Sequence, residues 1–252
     1  LDEAPVYNAS HLFGFFSTFN SDALKDATII KGNAPAQYGG RLSSVLDIKM
    51  KDGNNQNFAT NGGIGLISSR LSVEGPIKKD KSSFIISGRR TYADLFLGLT
   101  EQFRDNELFF YDLNIKANAQ INKNNRIYLS GYFGRDILGL SENFNTNWGN
   151  ASGTLRWSSI MSKKLFSNTA LTYSNYNYDI NFKNEVINVT VRSKIQDWNL
   201  KKDFSWYISD NHFIRFGTNT IHHTISPTTI NGNLSSSFAR KSRTSLEKAV
   251  YI

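Results

Sequence analysis

The chain of 252 residues contains no cysteine, so neither a disulfide framework nor a thiolate metal site is available. Histidine is nearly as scarce. Four scattered residues mean that a metal site would have to be built mostly from carboxylates, and no such cluster stands out. Long apolar runs are missing as well. Mean hydropathy is negative, and no run reaches the roughly 18 apolar residues that a membrane-spanning helix needs. This excludes a transmembrane helix but leaves a membrane open, because a barrel strand is apolar only at alternate residues. The start at Leu1 lacks the charged-then-apolar pattern of a signal peptide. The sequence therefore reads as one from which processing or truncation has removed an earlier part.

The formal net charge is +8, a balance that would suit nucleic acid. The basic residues, however, are dispersed through expected turns and strands rather than gathered on one helix or patch. They read as solvated turns and a barrel lumen, with some attraction for anionic lipid headgroups.

What the sequence does have is alternation. Tyr111, Leu113, Ile115, Ala117, Ala119 and Ile121 alternate with Asp112, Asn114, Lys116, Asn118 and Gln120, giving a strand with one apolar wall and one polar wall. From Arg126 to Gly134, Ile127, Leu129 and Phe133 fall on one face, and Tyr128, Ser130 and Tyr132 on the other. Strands of about ten such residues match a tilted crossing of a bilayer. The expected strands are 57–75, 82–93, 109–121, 126–138, 148–160, 165–178, 186–206 and 212–227, with a further one beginning near Thr244. Short polar links at Pro76–Lys81, Asn122–Asn125, Met161–Lys164 and Tyr207–Asn211 alternate with longer ones at Asp94–Leu108, Gly139–Asn147, Asp179–Glu185 and Thr228–Arg243. Outer-membrane barrels sort their loops this way. Trp148, Trp157, Trp198 and Trp206 lie in or at the ends of strands, where interfacial aromatic girdles are expected.

The stretch up to about Lys51 differs. Asn20–Ala27 is expected to form a short helix capped by Ser21 or Asn20. Thr28–Lys31 and Ser43–Lys51 are expected strands, joined by a loop, Asn33–Leu42, that contains Pro35 and Gly39-Gly40. The fold class is thus mainly β: a transmembrane antiparallel β-barrel, present in part, preceded by a small α/β unit. The boundary falls between residues 1–53 and 54–252.

The run Asp22–Gly32 followed by Ala34-Pro-Ala-Gln-Tyr-Gly-Gly-Arg-Leu-Ser-Ser-Val-Leu-Asp-Ile-Lys-Met-Lys51 resembles the end of the plug domain of TonB-dependent outer-membrane receptors. Gly32 and Tyr38-Gly39 match that pattern directly. The usual Gly-Gly before Val is Ser43-Ser44 here, and the proline is displaced to Pro35. These departures resemble the subgroup common in Bacteroidetes-type bacteria, as do Ser72–Pro76 and Ser87–Tyr92, which are similar to its first barrel turn and second strand. The motif residues are Gly32, Pro35, Tyr38, Gly39, Gly40, Arg41 and Asp47. The glycines permit positive φ and close packing, and Pro35 stiffens the loop. Arg41 and Asp47 pair either with lumen-facing charges or locally. On the second strand, parity puts Arg89 in the lumen, reaching the plug with Asp47 or another carboxylate as partner, and puts Arg90 outside.

The resemblance implies a plugged barrel of about 22 strands that imports a scarce or bulky nutrient, such as a siderophore or glycan, across the bacterial outer membrane. Its partners would be a TonB complex, outer-membrane lipid and an unidentified nutrient ligand, with room for a surface lipoprotein. No nucleic acid, cofactor, metal or enzymatic activity is expected. Gly62-Gly63-Ile64-Gly65 lacks the Gly-Lys-Ser/Thr of a phosphate loop, no Gly-x-Ser-x-Gly elbow occurs, and Asn150-Ala151-Ser152 is a sequon without meaning in that membrane. His222 and His223 are adjacent, point to opposite faces and read as surface or rim residues. Two rivals stay open: a self-contained small barrel with a structural or adhesive role, and a soluble β-sandwich binding module.

Overall fold

The computed structural model of the chain describes residues 1–40, 43–140, 143–186, 188–232 and 241–252. The N-terminal part carries two small antiparallel pairs, β1 (Ser10–His11) with β2 (Phe16–Ser17) and β3 (Leu24–Lys31) with β4 (Ser44–Met50). The described strands after it build one antiparallel sheet. Its strands are β5 (Ala59–Ile64), β6 (Ser68–Lys78), β7 (Ser82–Thr91), β8 (Glu107–Asn122) and β9 (Asn125–Leu140). They continue with β10 (Phe144–Ile160), β11 (Leu165–Lys183), β12 (Asn188–Ser209), β13 (His212–Gly232) and β14 (Arg243–Tyr251). Each strand pairs with its sequence neighbour, and β5 and β14 are not paired with each other, so the sheet is a segment of barrel wall. A single short helix, α1 (Ala93–Leu97), sits in the link between β7 and β8.

The alternation read from the sequence sorts by face. Leu113, Ile115, Ile127, Leu129 and Phe133 are exposed, while Asn114, Lys116, Asn118 and Ser130 are buried. The buried side is covered by the N-terminal residues, so the polar wall faces inward and the apolar wall faces outward. Trp157, Trp198 and Trp206 are outward and exposed. Trp148 departs from the expected girdle: it is inward-facing and buried, with its ring tilted against that of Phe13 at a centroid distance of 4.9 Å.

Several expected boundaries shift. The run 57–75 is two strands, making ten in the sheet where nine were read. The chain reverses at 65–67, where Gly65 N–H donates to the Ser68 carbonyl at 2.8 Å. The glycines at 62, 63 and 65 carry no alternating side chains, so the reversal leaves no mark in the pattern. Ser72–Pro76 lies inside β6, and the expected turn falls later, where Lys81 N–H reaches the Lys78 carbonyl. A register shift beside Pro76 accommodates a residue without a ladder donor. The expected helix Asn20–Ala27 is one turn followed by β3. Asn20 Oδ1 accepts the Asp22 N–H at 3.0 Å, and the β-branched Thr28, Ile29 and Ile30 pair with β4 instead of winding on.

The long links beyond β9, β11 and β13 are partly strand. β9 runs to Leu140, β11 to Lys183 and β13 to Gly232. Polar alternation at those ends hides strand character, because side chains that face water on one side need not be apolar. The strands therefore extend well past the roughly ten residues that cross a bilayer, all at the end away from the short turns.

Gly53, at the junction between the two parts, lies so close to β7 that a Cβ there would sit 1.9 Å from the Phe84 carbonyl oxygen. Gly53→Ala is expected to lower stability by about 1–3 kcal/mol through overpacking. The heat-dissociation midpoint of the intact protein on a denaturing gel checks this, and an unchanged midpoint counts against the close approach.

Candidate functional site between the N-terminal segment and the inner wall

The inner wall and the N-terminal segment meet through polar groups. At the centre stands Lys116 on β8, whose side chain is 4% exposed. Its ammonium lies 3.2 Å from Asp2 and 3.1 Å from Asp52, and it donates to the Met50 carbonyl at 2.8 Å. A buried ammonium requires such partners, because desolvation without compensation costs several kcal/mol. All three partners lie within residues 1–53, so one barrel side chain closes both ends of that segment on the wall. Asp2 also accepts the Met50 N–H, and its carbonyl accepts the Thr154 hydroxyl.

A second cluster surrounds His11. Its Nδ1 is 2.7 Å from Asp136 and its Nε2 is 3.6 Å from Asp112. The ring lies parallel to Phe110 at 4.1 Å and meets the Tyr132 hydroxyl at 3.2 Å. Asp136 also accepts the Leu12 N–H at 2.7 Å. Arg89 donates to Asp112 and to the Ser17 carbonyl at 2.7 Å. A third set joins Tyr7, whose hydroxyl donates to Asp197, to His223, 2.7 Å from the same carboxylate. Asn150 binds the backbone of Tyr7 and Asn8.

The positions read from the sequence fall as follows. Arg89 is inward and touches the N-terminal segment, but its carboxylate partner is Asp112 on the neighbouring strand. Asp47 pairs locally, accepting the Tyr38 hydroxyl at 3.2 Å and lying 3.9 Å from Lys49. The register decides this: Arg89 and Asp112 are directly opposite on β7 and β8, whereas Asp47 lies on a separate sheet. Arg90 is outward, paired with Asp94 at 2.9 Å and stacked over Phe109. Burial, helped by the Asp47 carboxylate, pushes the Tyr38 hydroxyl above its ordinary range, so it stays a donor. Pro35 opens a short 3-10 turn, Ala36–Tyr38. Gly32 and Gly40 adopt positive φ, 64° and 73°, while Gly39 does not, at −48°. A Cβ on Gly40 would lie 3.3 Å from Glu247 Oε1 on β14. Arg41 lies outside the described residues. His222 is exposed and His223 is half-buried on the inner face, so the pair splits by face, but His223 is engaged in the wall rather than at the rim.

Parity had placed Lys116 inward without naming its partners. Asp2, Tyr7, His11, Asp136 and Asp197 carried no signal beyond being charged or aromatic in polar surroundings. For Asp136 and Asp197 the one mark is an ionisable residue in the inward phase of a strand, since it cannot stay buried alone.

The segment's crest is a tight turn at Leu12–Gly14, where Leu12 and Phe13 adopt φ of 46° and 59°. Such left-handed backbone costs about 1–2 kcal/mol per non-glycine residue, and it leaves Phe13 and Phe15 71% and 84% exposed.

The arrangement is that of a barrel wall holding a folded insert. BauA, the ferric preacinetobactin receptor from Acinetobacter baumannii, is similar over 96% of this chain at 10% identity and a TM-score of 0.61. The chain spans 42% of that protein's length. Looser similarities are to the ferric yersiniabactin uptake receptor FyuA from Yersinia pestis (12% identity, 77% of this chain, 37% of that one, TM-score 0.44) and to the copper transporter OprC (9%, 94%, 48%, 0.49). No family model and no curated protein matches the sequence. The shared property is the fold.

Replacing Lys116 with methionine leaves the buried Asp2 carboxylate without its ammonium and frees the half-buried Asp52, and a loss of about 3 kcal/mol is expected. Limited proteolysis of the intact protein checks it, with cleavage near residues 1–53 rising sharply. Arg89→Ala leaves Asp112 buried without its guanidinium and is expected to raise passive leakage of large antibiotics into cells, whereas Arg90→Ala is not. Equal leakage from both variants would count against the inward role of Arg89.

Proposed function

We propose that this chain is part of a TonB-dependent outer-membrane receptor, with residues 1–53 forming the C-terminal part of the plug and residues 54–252 the first part of the transmembrane barrel. The observation that carries this is the clamp: an antiparallel wall, apolar outside and polar inside, whose inner face holds a preceding segment through the buried ion pairs of Lys116. A small self-contained barrel fills its own interior with wall side chains and has no room for such an insert. In this reading the short turns face the periplasm and the extended strand ends face outward. The motif from Tyr38 through Gly40 to Ser44-Val45 supports the Bacteroidetes-type subgroup.

The intact receptor would import a scarce or bulky nutrient, energised by a TonB complex acting on the plug, without chemistry of its own. Outer-membrane lipid covers the apolar face, and a surface lipoprotein is a further candidate partner. The test is growth of a strain lacking the intact receptor on a panel of ferric chelates, glycans and apolar ring compounds as limiting nutrients. A defect on one of them, reproduced by removing TonB, is expected. Receptor-dependent growth that persists without TonB would sink the proposal.

A further inference from the structure

The polarity of the wall reverses near the ends of its strands. Below the level of Asn150, Tyr176 and Ile195, which are linked through the registers of β10, β11 and β12, the outward residues are apolar, as with Leu155, Leu171, Tyr173, Trp198 and Leu200. The inward ones there are polar: Thr154, Thr172, Ser174, Asp197 and Asn199. Above that level the phase changes. The outward positions become Asn147 on β10, Asn177 and Asp179 on β11, and Arg192 and Lys194 on β12. Arg192 and Asp179 are ion-paired across these outward faces at 2.8 Å.

Inward positions at the same height include Trp148, Tyr178, Ile180, Val191 and Ile195, continued on β13 by Ile230 beside Val191. Thr146 and Ser193 share this face, and their hydroxyls, like that of Thr228, are already bonded within the wall. On β8 to β12 Asp136 is the single charged inward residue above this level among the described residues. It is buried and bonded to His11 and Leu12. A wall that is charged outside stands in water rather than lipid, so lipid does not cover its apolar inner side.

The insert enters this zone on the β8–β10 side, where His11 and Phe16 pack on Phe110 and Asp136 holds His11 and Leu12. Its ion pairs to Lys116 lie lower down, and it ends upward in the Leu12–Gly14 turn. There Phe13 leans on Trp148 at 4.9 Å, and Phe15 is 84% exposed. Tyr7 faces Tyr176 at 6.5 Å. Insert and wall thus present aromatic and aliphatic groups to one water-accessible space that has almost no charge.

We propose, resting on the receptor reading above, that this apolar upper wall and the Phe13–Phe15 turn form the seat of the transported ligand. The ligand class is a compound whose contact surface is an uncharged aromatic or aliphatic ring system. Apolar rings are recognised by dispersion and offset stacking, which the seat supplies. An anionic chelate would require unpaired cations and a glycan would require an array of hydrogen-bonding groups, and the seat is poor in each.

The test uses the intact receptor in lipid nanodiscs, with empty nanodiscs as the blank. The uncharged probes are coumarin, camphor and indole; dihydroxybenzoate and maltohexaose are the charged and sugar comparisons. Saturable binding of at least one uncharged probe is expected, weakened roughly ten-fold or more by Ile195→Asp and by Ile180→Asp, which place a carboxylate in the seat. Thr190→Asp, on the outward face of β12 at similar height, is expected to leave binding unchanged. Heat-modifiable gel mobility of each variant shows that the barrel is folded. Tighter binding of the anion or the sugar, or an equal effect of Thr190→Asp, overturns the ligand class. Absence of saturable binding by every uncharged probe means that another part of the chain fills the seat, and overturns the proposal. These outcomes are independent of TonB, so their failure is distinct from failure of the receptor reading.

Discussion

One buried ammonium organises the molecule. Lys116 sits in the middle of an inward strand face, out of reach of water, and a positive charge there is tolerable only if carboxylates and a carbonyl come to it. Asp2, Asp52 and the Met50 carbonyl do so. Because these partners lie at the two ends of a segment of about fifty residues, their convergence fixes how the segment enters and leaves the inner face. The His11 and Tyr7 clusters then pin what lies between.

The polar character of this junction separates it from an ordinary hydrophobic core. Burial of apolar area binds two surfaces strongly and without direction. Ion pairs and hydrogen bonds are directional, and their net contribution is modest once desolvation is counted. A segment held this way is fixed in register, and water can replace each polar contact that parts. Such an interface suits an insert that has to be held firmly and still be displaced in the transport reading proposed above.

The same wall serves three environments along its length, and each strand face follows the medium it meets. Outside and low, Leu129, Leu155 and Trp206 stand exposed on the apolar band. Inside and low, Asn114, Thr172 and Asp197 meet the insert. At the extended ends the two faces exchange character, so that Asp179 and Arg192 point outward and Ile180 and Val191 inward. The exchange follows from strand geometry, because successive residues always take opposite faces and only the surroundings change.

Much of this was written in the sequence. The alternation in β8 and β9 fixed the strands and their inward and outward residues, because a period of two admits no other structure over that length. The motif around Tyr38 and Gly40 falls between β3 and β4, ahead of the large sheet. The reversal of phase at Ser174–Tyr176 and again at Gln196–Trp198 went unread, because its meaning depends on knowing where the insert ends. Tertiary structure alone decided the partners. Asp112 rather than Asp47 receives Arg89 because cross-strand register, not sequence distance, brings groups together. Asp2 and Asp52 meet at Lys116 through a closure of the chain that local pattern does not encode. The extra hairpin at Gly65 and the inward turn of Trp148 follow from the same limit: local sequence records the period of a strand, while the curvature and packing of the whole wall determine what each residue finally touches.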